Sequence, residues 1–475
     1  MIKTSLWIDG QWVETVKKDT LKAPYDGEII AEVARATPEQ VSVAIEGAHR
    51  AYIKFKEKTA YERAEILHRV SEIMKEKKEE LAKIIAMEAA KPLTAALGEL
   101  DRTIATYEFA AEEAKHLHGE TVPLDAAPGV RDRIGWTKRE SLGVVSAITP
   151  FNFPFNLVAH KLGPAFAVGN AVVLKPASQT PLSSIALAEI FKEAGLPDGM
   201  LQIVTGKGSE LSEILVTHPL VKKVTFTGSG AVGMKIKEQV GLRKITLELG
   251  SNAAVIVEPS TPIDKMVKRC VDGAFGFAGQ VCISVQRIYV HASIYEEFTK
   301  AFVEETEKLV VGSPMDQKTD VSAMIHPKEV MRIKEWVDEA VADGAKVATG
   351  AEYTERTMKP TVVLNAKHDA KIIKQETFAP IVSIIPYGTL DEAIQYVNES
   401  DLGLNAGIFT MNIEDALRAA DEIEAGGVII NDIPTFRTDN MPYGGMKMSG
   451  YGREGIKYAV QEMSEMKFIT IKTKL

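Results

Sequence analysis

The sequence predicts an α/β protein with a mostly parallel, doubly wound sheet and a second α/β domain after it. The chain has 475 residues, about three times an ordinary domain, so at least two cores are expected. Apolar residues make up 45% of the chain and charged residues 25%, as in globular proteins. From Gly143 onward, short β-branched segments alternate with amphipathic ones, which is typical of parallel sheets with right-handed crossovers.

The first predicted elements along the chain are helices. Thr37 is followed by Pro38 and then by Gln40 three residues on, which resembles a capping box at the start of an apolar stripe. Apolar residues at helical spacing between Ile66 and Ile84 predict a second helix. Both helices are expected to be structural.

Two groups of strands follow, with amphipathic helices predicted between several of them. The first group is 144–148, 171–174, 201–204, 223–226 and 244–247, with helices at 183–194 and 210–217. The second group is 253–257, 287–291, 381–386, 406–410 and 427–431. The polar segment 119–139 is expected to be an extended arm.

Composition excludes several classes of function. The chain has 56 basic and 65 acidic residues, and this net charge of −9 disfavours nucleic acid or anionic membranes as partners. Polar residues and three prolines interrupt the longest apolar stretch, 143–174, so no membrane span is expected. With only two cysteines and no apolar core of a signal peptide in residues 1–10, we expect a cytoplasmic protein with reduced thiols.

Residues able to carry chemistry lie at or just after the ends of the predicted strands. Ligands of open parallel sheets gather beyond the carboxyl ends of the strands. Asn152, Lys175, Gly228 and Glu248 are each associated with a different strand of the first group, so we expect them to converge.

A glycine pattern follows the fourth strand of that group. Gly228, Gly230 and Gly233 spell G-x-G-x-x-G, and Glu248 lies 20 residues beyond the first glycine, as in a dinucleotide fingerprint. Such a fingerprint normally belongs to the first strand–helix turn of its domain. Two interpretations therefore stay open, a helix start that faces a pyrophosphate and an ordinary glycine turn.

The two cysteines differ in context. Cys270 lies in a helical stretch, which favours a small buried hydrophobic role. Cys282 follows a glycine-bearing segment and precedes a predicted strand. A thiol in such a loop becomes a good nucleophile when its pKa is lowered and a neighbouring donor stabilises the charge that develops after attack.

Seven motifs occur along the chain in one order, and together they resemble the aldehyde dehydrogenase superfamily over nearly the whole length. The motifs are Pro-Phe-Asn-Phe-Pro from 150, Lys-Pro-Ala-Ser from 175, Phe-Thr-Gly-Ser from 226, Leu-Glu-Leu-Gly from 247, Gly-Gln-Val-Cys from 279, Glu-Thr-Phe-Ala-Pro from 376 and Pro-Tyr-Gly-Gly-Met-Lys-Met-Ser-Gly from 442.

The resemblance implies a mechanism and a cofactor site. Cys282 would attack the aldehyde, the Asn152 amide and the Cys282 N–H would bind the oxyanion, and hydride would pass to nicotinamide. Glu248 would then activate the water that hydrolyses the thioester, so it is not expected to be the ribose acid. By the same match, Lys175 would bond the adenosine ribose and Glu376 the nicotinamide ribose. The cofactor contacts implied are Thr149, Pro150, Phe151, Lys175, Ser178, Gly228, Ser229, Gly233, Leu249, Glu376 and Phe378.

Serine at position 178 bears on the choice of cofactor. Many NAD-preferring relatives carry a glutamate there, which would repel a 2′-phosphate. Because Ser178 removes this repulsion and Lys175 is near, we predict use of NADP or of both NAD and NADP. No metal site is expected, since no cluster of His and Cys ligands occurs and a thiol with nicotinamide performs the difficult steps.

The substrate is expected to be a small aliphatic, hydroxy- or aromatic aldehyde. Arg437 is interpreted first as a surface arginine paired with Asp439. If it lines the entrance instead, small hydroxyaldehydes bearing a carboxylate or sulfonate become candidates. His160 is interpreted as a structural histidine.

Two alternative functions are weighed against this hypothesis. The first is a CoA-acylating semialdehyde dehydrogenase of the same superfamily, against which Glu248 argues because acylating relatives generally lack that carboxylate. The second is a non-catalytic binding protein on the same fold. The joint presence of Asn152, Glu248 and Cys282 argues against it.

The resemblance also implies three parts in the chain. These are a Rossmann-like dinucleotide-binding domain at 1–120 and 142–250, an α/β catalytic domain at 251–446, and a small β arm for oligomerisation at 121–141 and 447–475. Residues 466–472 alternate like an edge strand. Pairing of that edge with a neighbouring subunit would give a homodimer or homotetramer.

Overall fold

The computed structural model describes residues 4–474, so the outer bounds of the predicted domains, at 1 and 475, lie outside the described residues. The strands are β1 (Leu6–Ile8), β2 (Gln11–Val13), β3 (Lys18–Lys22), β4 (Ile29–Ala34), β5 (Thr121–Val122), β6 (Arg133–Ser141), β7 (Val144–Ile148), β8 (Ala171–Lys175), β9 (Leu201–Ile203), β10 (Val221–Thr227), β11 (Lys244–Glu248), β12 (Ala254–Val257), β13 (Arg287–His291), β14 (Lys346–Thr349), β15 (Thr361–Leu364), β16 (Ile381–Tyr387), β17 (Leu402–Gly403), β18 (Asn405–Phe409), β19 (Gly427–Ile430), β20 (Met446–Lys447), β21 (Gly450–Tyr451) and β22 (Ser464–Lys472). The α-helices are α1 (Pro38–Phe55), α2 (Ala60–Glu76), α3 (Lys78–Ala89), α4 (Leu93–His116), α5 (Asn156–Val168), α6 (Pro181–Glu193), α7 (Gly208–Thr217), α8 (Gly230–Gln239), α9 (Ile263–Phe275), α10 (Tyr295–Thr306), α11 (Pro327–Ala342), α12 (Lys371–Lys374), α13 (Leu390–Asn398), α14 (Ile413–Glu422) and α15 (Ile456–Glu462).

The first sheet has eight strands in the order β2-β1-β9-β8-β7-β10-β11-β21. Its five central strands are parallel and correspond to the five predicted ones, which confirms the doubly wound arrangement. The carboxyl ends of β7, β8, β10 and β11 meet at one edge of this sheet. Short antiparallel strands complete it: β1 pairs with β9, and β21 pairs with β11.

Helices cover this sheet, and one helix prediction was wrong. The Thr37 side chain accepts from the Gln40 N–H and the Gln40 side chain accepts from the Thr37 N–H, which confirms the capping box. The single helix expected between 66 and 84 is two helices, because the backbone leaves helical geometry at Lys77 (φ −99°, ψ 10°). The apolar spacing runs through this break because α2 and α3 both pack against α4. Of the helices in residues 4–474, none is long and apolar enough to span a bilayer.

The second sheet has seven strands in the order β14-β15-β16-β13-β12-β18-β19. Six of its strands are parallel: the five predicted ones and β15, which was not predicted. β14 is an antiparallel edge strand next to β15. Its two faces pack into two separate apolar clusters, which accounts for the nearly continuous β-branched character of the central strands.

The arm is a separate antiparallel sheet of three strands, β22-β6-β5, in which Met466 lies opposite Arg139 and Lys472 opposite Arg133. β22 lies at the edge of this sheet. Residues 447–463 do not join it, because β21 pairs with β11 and α15 packs on α4 and α5. Residues 447–474 are therefore shared among three sheets, because Lys447 also pairs with Leu402 in the two-stranded sheet β17-β20. The division into domains stays a prediction.

Candidate active site

A cleft of about 980 Å³ opens at the carboxyl edge of the first sheet and extends to the second α/β unit. The residues after β7 and the end of β8 form part of its wall, as expected for a ligand site of an open parallel sheet. The predicted site residues that line it are Thr149, Pro150, Phe151, Asn152, Lys175, Gly228, Ser229, Leu249, Glu376, Phe378 and Cys282. Ser178, Gly233 and Glu248 are not among its lining residues.

The glycine turn after β10 brings a helix close to this cleft. The Gly228 N–H donates to the Glu248 carbonyl at 3.0 Å, and α8 begins directly after Ser229. A side chain at Gly233 would lie 2.4 Å from Leu249, so this glycine allows α8 to pack closely on the residue after β11. The turn therefore presents Gly228 and Ser229 to the cleft and uses Gly233 for packing.

Lys175, at the end of β8, and Ser178, three residues later, border different cavities. Lys175 lines the cleft, and burial lowers the pKa of its ammonium to about 8. The Ser178 hydroxyl donates to the Gly206 carbonyl at 3.1 Å and borders a separate small cavity. Other polar residues, Ser209 and Lys235, line the cleft near this end and carried no distinguishing signal in the sequence.

Glu376 and Phe378, which precede β16 of the second sheet, also line the large cleft. Glu376 accepts a hydrogen bond from the Ser251 N–H at 2.8 Å, and burial raises the pKa of its carboxyl to about 7. Phe378 has a left-handed backbone conformation (φ 48°) and packs edge-on against Phe151, with 5.9 Å between ring centroids. A phenylalanine in this conformation is strained, which indicates a side chain held at this wall by its surroundings.

Cys282 follows a left-handed turn. Phe277, Ala278 and Gly279 all have positive φ, at 50°, 53° and 66°, which is costly for the two non-glycine residues. The turn ends α9 and directs the chain back toward Asn152. The Cys282 sulfur lies 2.9 Å from the Tyr443 hydroxyl. Burial raises the pKa of the Cys282 thiol to about 11, against the lowering effect of this hydrogen bond.

The side-chain amide of Asn152 is oriented by the loop that carries the cysteine. Its Nδ2 donates to the Gln280 carbonyl at 3.0 Å, while its Oδ1 is buried without a partner. An amide nitrogen has two hydrogens, so this bond leaves one available for a ligand beside Cys282.

Glu248 does not line the cleft and is only 2% exposed. Neither of its carboxylate oxygens has a hydrogen-bond partner. Burial, and then the nearby Glu454, raise the pKa of the Glu248 carboxyl well above its ordinary value, whereas Arg437 and Lys161 act in the opposite direction. A carboxyl in such surroundings takes up a proton readily.

A second cavity of about 220 Å³ meets the cleft at Cys282, since this residue lines both. Three basic side chains, Lys91, Arg102 and Arg437, border the smaller cavity. The first interpretation of Arg437 was wrong: its side chain is only 4% exposed, and it pairs with Glu454 at 3.4 Å rather than with Asp439.

Asp439, which was expected to pair with Arg437, pairs with two other side chains. Asp439 accepts from Arg102 at 2.6 Å and lies 2.8 Å from the His160 ring nitrogen. The buried guanidinium of Arg437 instead stacks on the Tyr443 ring, 3.6 Å from its centroid, and pairs with Glu454 from another loop. His160 is fully buried in this polar cluster and is not among the residues lining either cavity.

Several residues at this site escaped sequence reasoning. Tyr443 was quoted only as part of a motif, although an aromatic residue between Pro442 and Gly444 in a predicted loop was a usable signal. Arg102 and Lys91 lie on and beside α4, a helix that was not predicted. Nothing local in the sequence distinguishes their charges from those of a solvated face.

Comparison with known proteins identifies the family of this chain. The aldehyde dehydrogenase family model matches residues 12–469. The chain is 46% identical over 466 residues to 3-sulfolactaldehyde dehydrogenase of Priestia aryabhattai, covering 98% of this chain and 97% of that protein.

Two solved structures are similar throughout. Aldehyde dehydrogenase 21 from Physcomitrella patens, in complex with the reaction product succinate, has a TM-score of 0.97 and 38% identity, covering 99% of this chain and 98% of that one. Glyceraldehyde-3-phosphate dehydrogenase from Methanocaldococcus jannaschii, complexed with NADP, has a TM-score of 0.93 and 39% identity, covering 96% and 100%. The predicted resemblance is confirmed: the chain belongs to the aldehyde dehydrogenase family and is an NAD(P)-dependent enzyme that oxidises an aldehyde.

Proposed function

We propose that this enzyme oxidises a short aldehyde that carries an anionic group at the end remote from the carbonyl, and that it releases the free acid. The observation that carries this proposal is the position of Arg437, buried at the small cavity that opens on Cys282. Arg102 and Lys91 border the same cavity, where each is paired with an acid, Asp439 and Glu99 respectively. A volume of about 220 Å³, against 980 Å³ for the cleft, suits a short substrate.

The larger cleft fits a dinucleotide. Thr149 and Asn152 each present a buried oxygen without a partner, and both residues line the cleft. Lys175 and Glu376 line the cleft and would bind ribose hydroxyls. Gly228 and Ser229, at the start of α8, would bind the pyrophosphate. When bound, the nicotinamide accepts the hydride that leaves the substrate carbon.

The protein's own groups carry out the remaining steps. The Cys282 sulfur bonds to the carbonyl carbon while the π pair moves to oxygen, and the free Asn152 N–H with the Cys282 N–H stabilises that oxyanion. Loss of hydride from the carbon then leaves an acyl thioester on Cys282.

Hydrolysis of that thioester falls to Glu248. Its buried carboxylate takes a proton from a water molecule, the water oxygen bonds to the acyl carbon, and the carbon–sulfur bond breaks to release the acid and the thiolate. Burial favours this proton uptake because it raises the pKa of Glu248. A carboxylate in this place supports hydrolysis over transfer to CoA.

The nature of the substrate is supported from two sides. One guanidinium nitrogen of Arg437 contacts both Glu454, at 3.4 Å, and the His160 ring nitrogen, at 3.2 Å, which leaves the hydrogens of the other nitrogens for a sulfonate or carboxylate. A similar protein is named for 3-sulfolactaldehyde, and a similar structure holds succinate, and both of these molecules are anionic. A 2-hydroxyaldehyde bearing a sulfonate or carboxylate is therefore the substrate class that we propose.

We also propose a cofactor preference, an oligomeric state and a cellular location. For cofactor preference we propose NADP or dual use, because Lys175 borders the cleft, together with Ser209, and the neighbouring position 178 carries no carboxylate. For assembly we propose a homodimer or homotetramer through the edge of β22. A cytoplasmic location suits a nucleophilic thiol that has to stay reduced.

The nucleophile and the base are tested by product analysis. We expect Cys282→Ala to abolish NADPH or NADH formation with every aldehyde, and Glu248→Gln to give one burst of reduced cofactor per subunit and then stop at the thioester. Wild-type protein should release free acid without added CoA. Release only in the presence of CoA would overturn the hydrolytic proposal.

The substrate class is tested at the small cavity. Hydrogen bonds to charged groups contribute roughly 1.5–3 kcal/mol, so Arg437→Met should raise KM for 3-sulfolactaldehyde by about tenfold or more while changing KM for neutral lactaldehyde little. Arg418→Met, at an exposed arginine, is the matched control. Equal effects on both aldehydes would refute an anion contact at Arg437.

A further inference from the structure

Tyr443 contacts the sulfur of Cys282 and is held there from three sides. Its hydroxyl lies 2.9 Å from Sγ. Its backbone exchanges two hydrogen bonds with Glu454, at 3.1 Å and 2.6 Å, and its ring lies beneath the Arg437 guanidinium at 3.6 Å. At 3% exposure, the phenol has little freedom to leave this position.

The surroundings of the sulfur make such a contact important. Ile283, Leu404 and Tyr443 form a small apolar cluster against which Cys282 packs. Apolar surroundings favour the neutral thiol, whereas the thiolate is the form that attacks carbon. Among the side chains of residues 4–474, that of Tyr443 is the one whose polar group lies at hydrogen-bond distance from the Cys282 sulfur.

Other charges near the thiol act on it from a greater distance. Arg437 favours the thiolate, while Glu376 and Glu248 disfavour it. Arg437 stands over the ring of Tyr443, so its charge also makes the phenol a stronger hydrogen-bond donor.

We propose that Tyr443 is a further catalytic residue, whose hydroxyl donates a hydrogen bond to the Cys282 thiolate while Arg437 holds the ring in place. The proposal rests on the function proposed above, in which Cys282 is the nucleophile. On ionisation the S–H bond breaks, the electron pair stays on sulfur and the proton passes to solvent. Tyr443 keeps its own proton and stabilises the new charge, so a larger fraction of Cys282 is ready to attack.

Tyr443→Phe removes the hydroxyl and keeps the ring beneath Arg437. The measurement is the rate of Cys282 alkylation by iodoacetamide across pH, with peptide mass spectrometry to separate Cys282 from the buried Cys270. We expect the apparent thiol pKa to rise by about one unit, a size typical of a lost hydrogen bond to a charged group. A thiolate becomes about threefold more nucleophilic per pKa unit, while the thiolate fraction at pH 7 falls about tenfold, so the alkylation rate at pH 7 should fall about threefold.

The direction of the change at pH 7 separates this role from a packing defect, which would expose Cys282 and raise its alkylation rate. Tyr61→Phe, at an exposed tyrosine of α2, is the control and should match wild type. A Tyr443→Phe profile identical to that of wild type would overturn the proposal.

A second substitution guards against misfolding. Replacing Tyr443 with 3-fluorotyrosine preserves shape and makes the hydroxyl a stronger donor, so the thiol pKa should fall, opposite to the phenylalanine variant. A shift upward or no shift would count against donation by Tyr443. If Cys282→Ala keeps its activity, the proposed function itself fails, whereas an inactive Cys282→Ala with unshifted Tyr443 variants refutes only the role of Tyr443.

Discussion

The buried ion pair between Lys91 and Glu99 joins the two loops of the active site. The side chains are 1% and 0% exposed, and Lys91 Nζ lies 2.5 Å from a Glu99 oxygen. The other Glu99 oxygen accepts from the Phe155 and Asn156 N–H groups at the start of α5. The Lys91 ammonium also lies over the rings of Phe153, beside the Asn152 loop, and of Phe277, in the turn before Cys282.

Removing one partner should cost much more than removing both. Lys91→Met leaves a buried carboxylate held only by two N–H donors, and Glu99→Gln leaves an ammonium faced by two aromatic rings. Each single change is expected to destabilise the protein by roughly 3–5 kcal/mol, because it leaves a buried charge without its counter-charge. The double variant carries no buried charge, keeps the side-chain volumes and retains an acceptor for α5, so a loss of only about 1 kcal/mol is expected.

Thermal unfolding of the four proteins measures this coupling. Each kcal/mol lowers Tm by roughly 2–4 °C in domains of 150–250 residues, so each single variant should unfold about 6 °C or more below wild type. The double variant should recover most of that loss. If the two single effects simply add in the double variant, the two side chains do not act as an ion pair and the reasoning fails.

Two further predictions concern stability. Ala278 has φ 53°, so Ala278→Gly should be neutral or should stabilise the protein by up to ~1 kcal/mol. The control Ala274→Gly, equally buried but in α9, should destabilise it by about 1 kcal/mol. Equal losses of Tm in both variants would contradict a strained turn. Burial raises the pKa of the Glu88 carboxyl, which caps α6, to about 8, above its value of about 4.3 in the unfolded chain. The folded state then binds more protons between these values, so wild-type stability should fall as pH rises from about 4.5 to 8. Glu88→Gln should flatten this fall in Tm and the exposed Glu79→Gln should not, and identical slopes in all three proteins would refute the assignment.

The parallel cores were predictable because their strands are local and repetitive. Strands such as Val144–Ile148 are buried on both faces and therefore consist of small and β-branched residues, a pattern that can be recognised without knowing the partner strand. The antiparallel strands at the two ends of the first sheet, β1, β2 and β21, are two or three residues long and are defined by pairing with their neighbours. The break at Lys77 was hidden because both helices keep the same apolar spacing.

The residues of the candidate site also fall into two groups, those that local sequence motifs predict and those that they do not. Cys282, Asn152 and Glu248 were found because each belongs to a recognisable motif, and the structure gathers them near one cleft. Their roles stay proposals to be tested. The surroundings of Arg437 were not accessible from local sequence, since Glu454 and Tyr443 reach it across loops. Asp439, two residues away, was the nearest acid in sequence but not its partner in space.

The meeting of two cavities at one sulfur has a practical consequence for covalent inhibitors. A small electrophile with an acidic tail, delivered through the narrower opening, can label Cys282 without competing with dinucleotide on the other side. Its selectivity would come from Arg437, which lines the smaller cavity and not the larger cleft. Cellular NAD(P) levels would then not protect the enzyme from such a reagent.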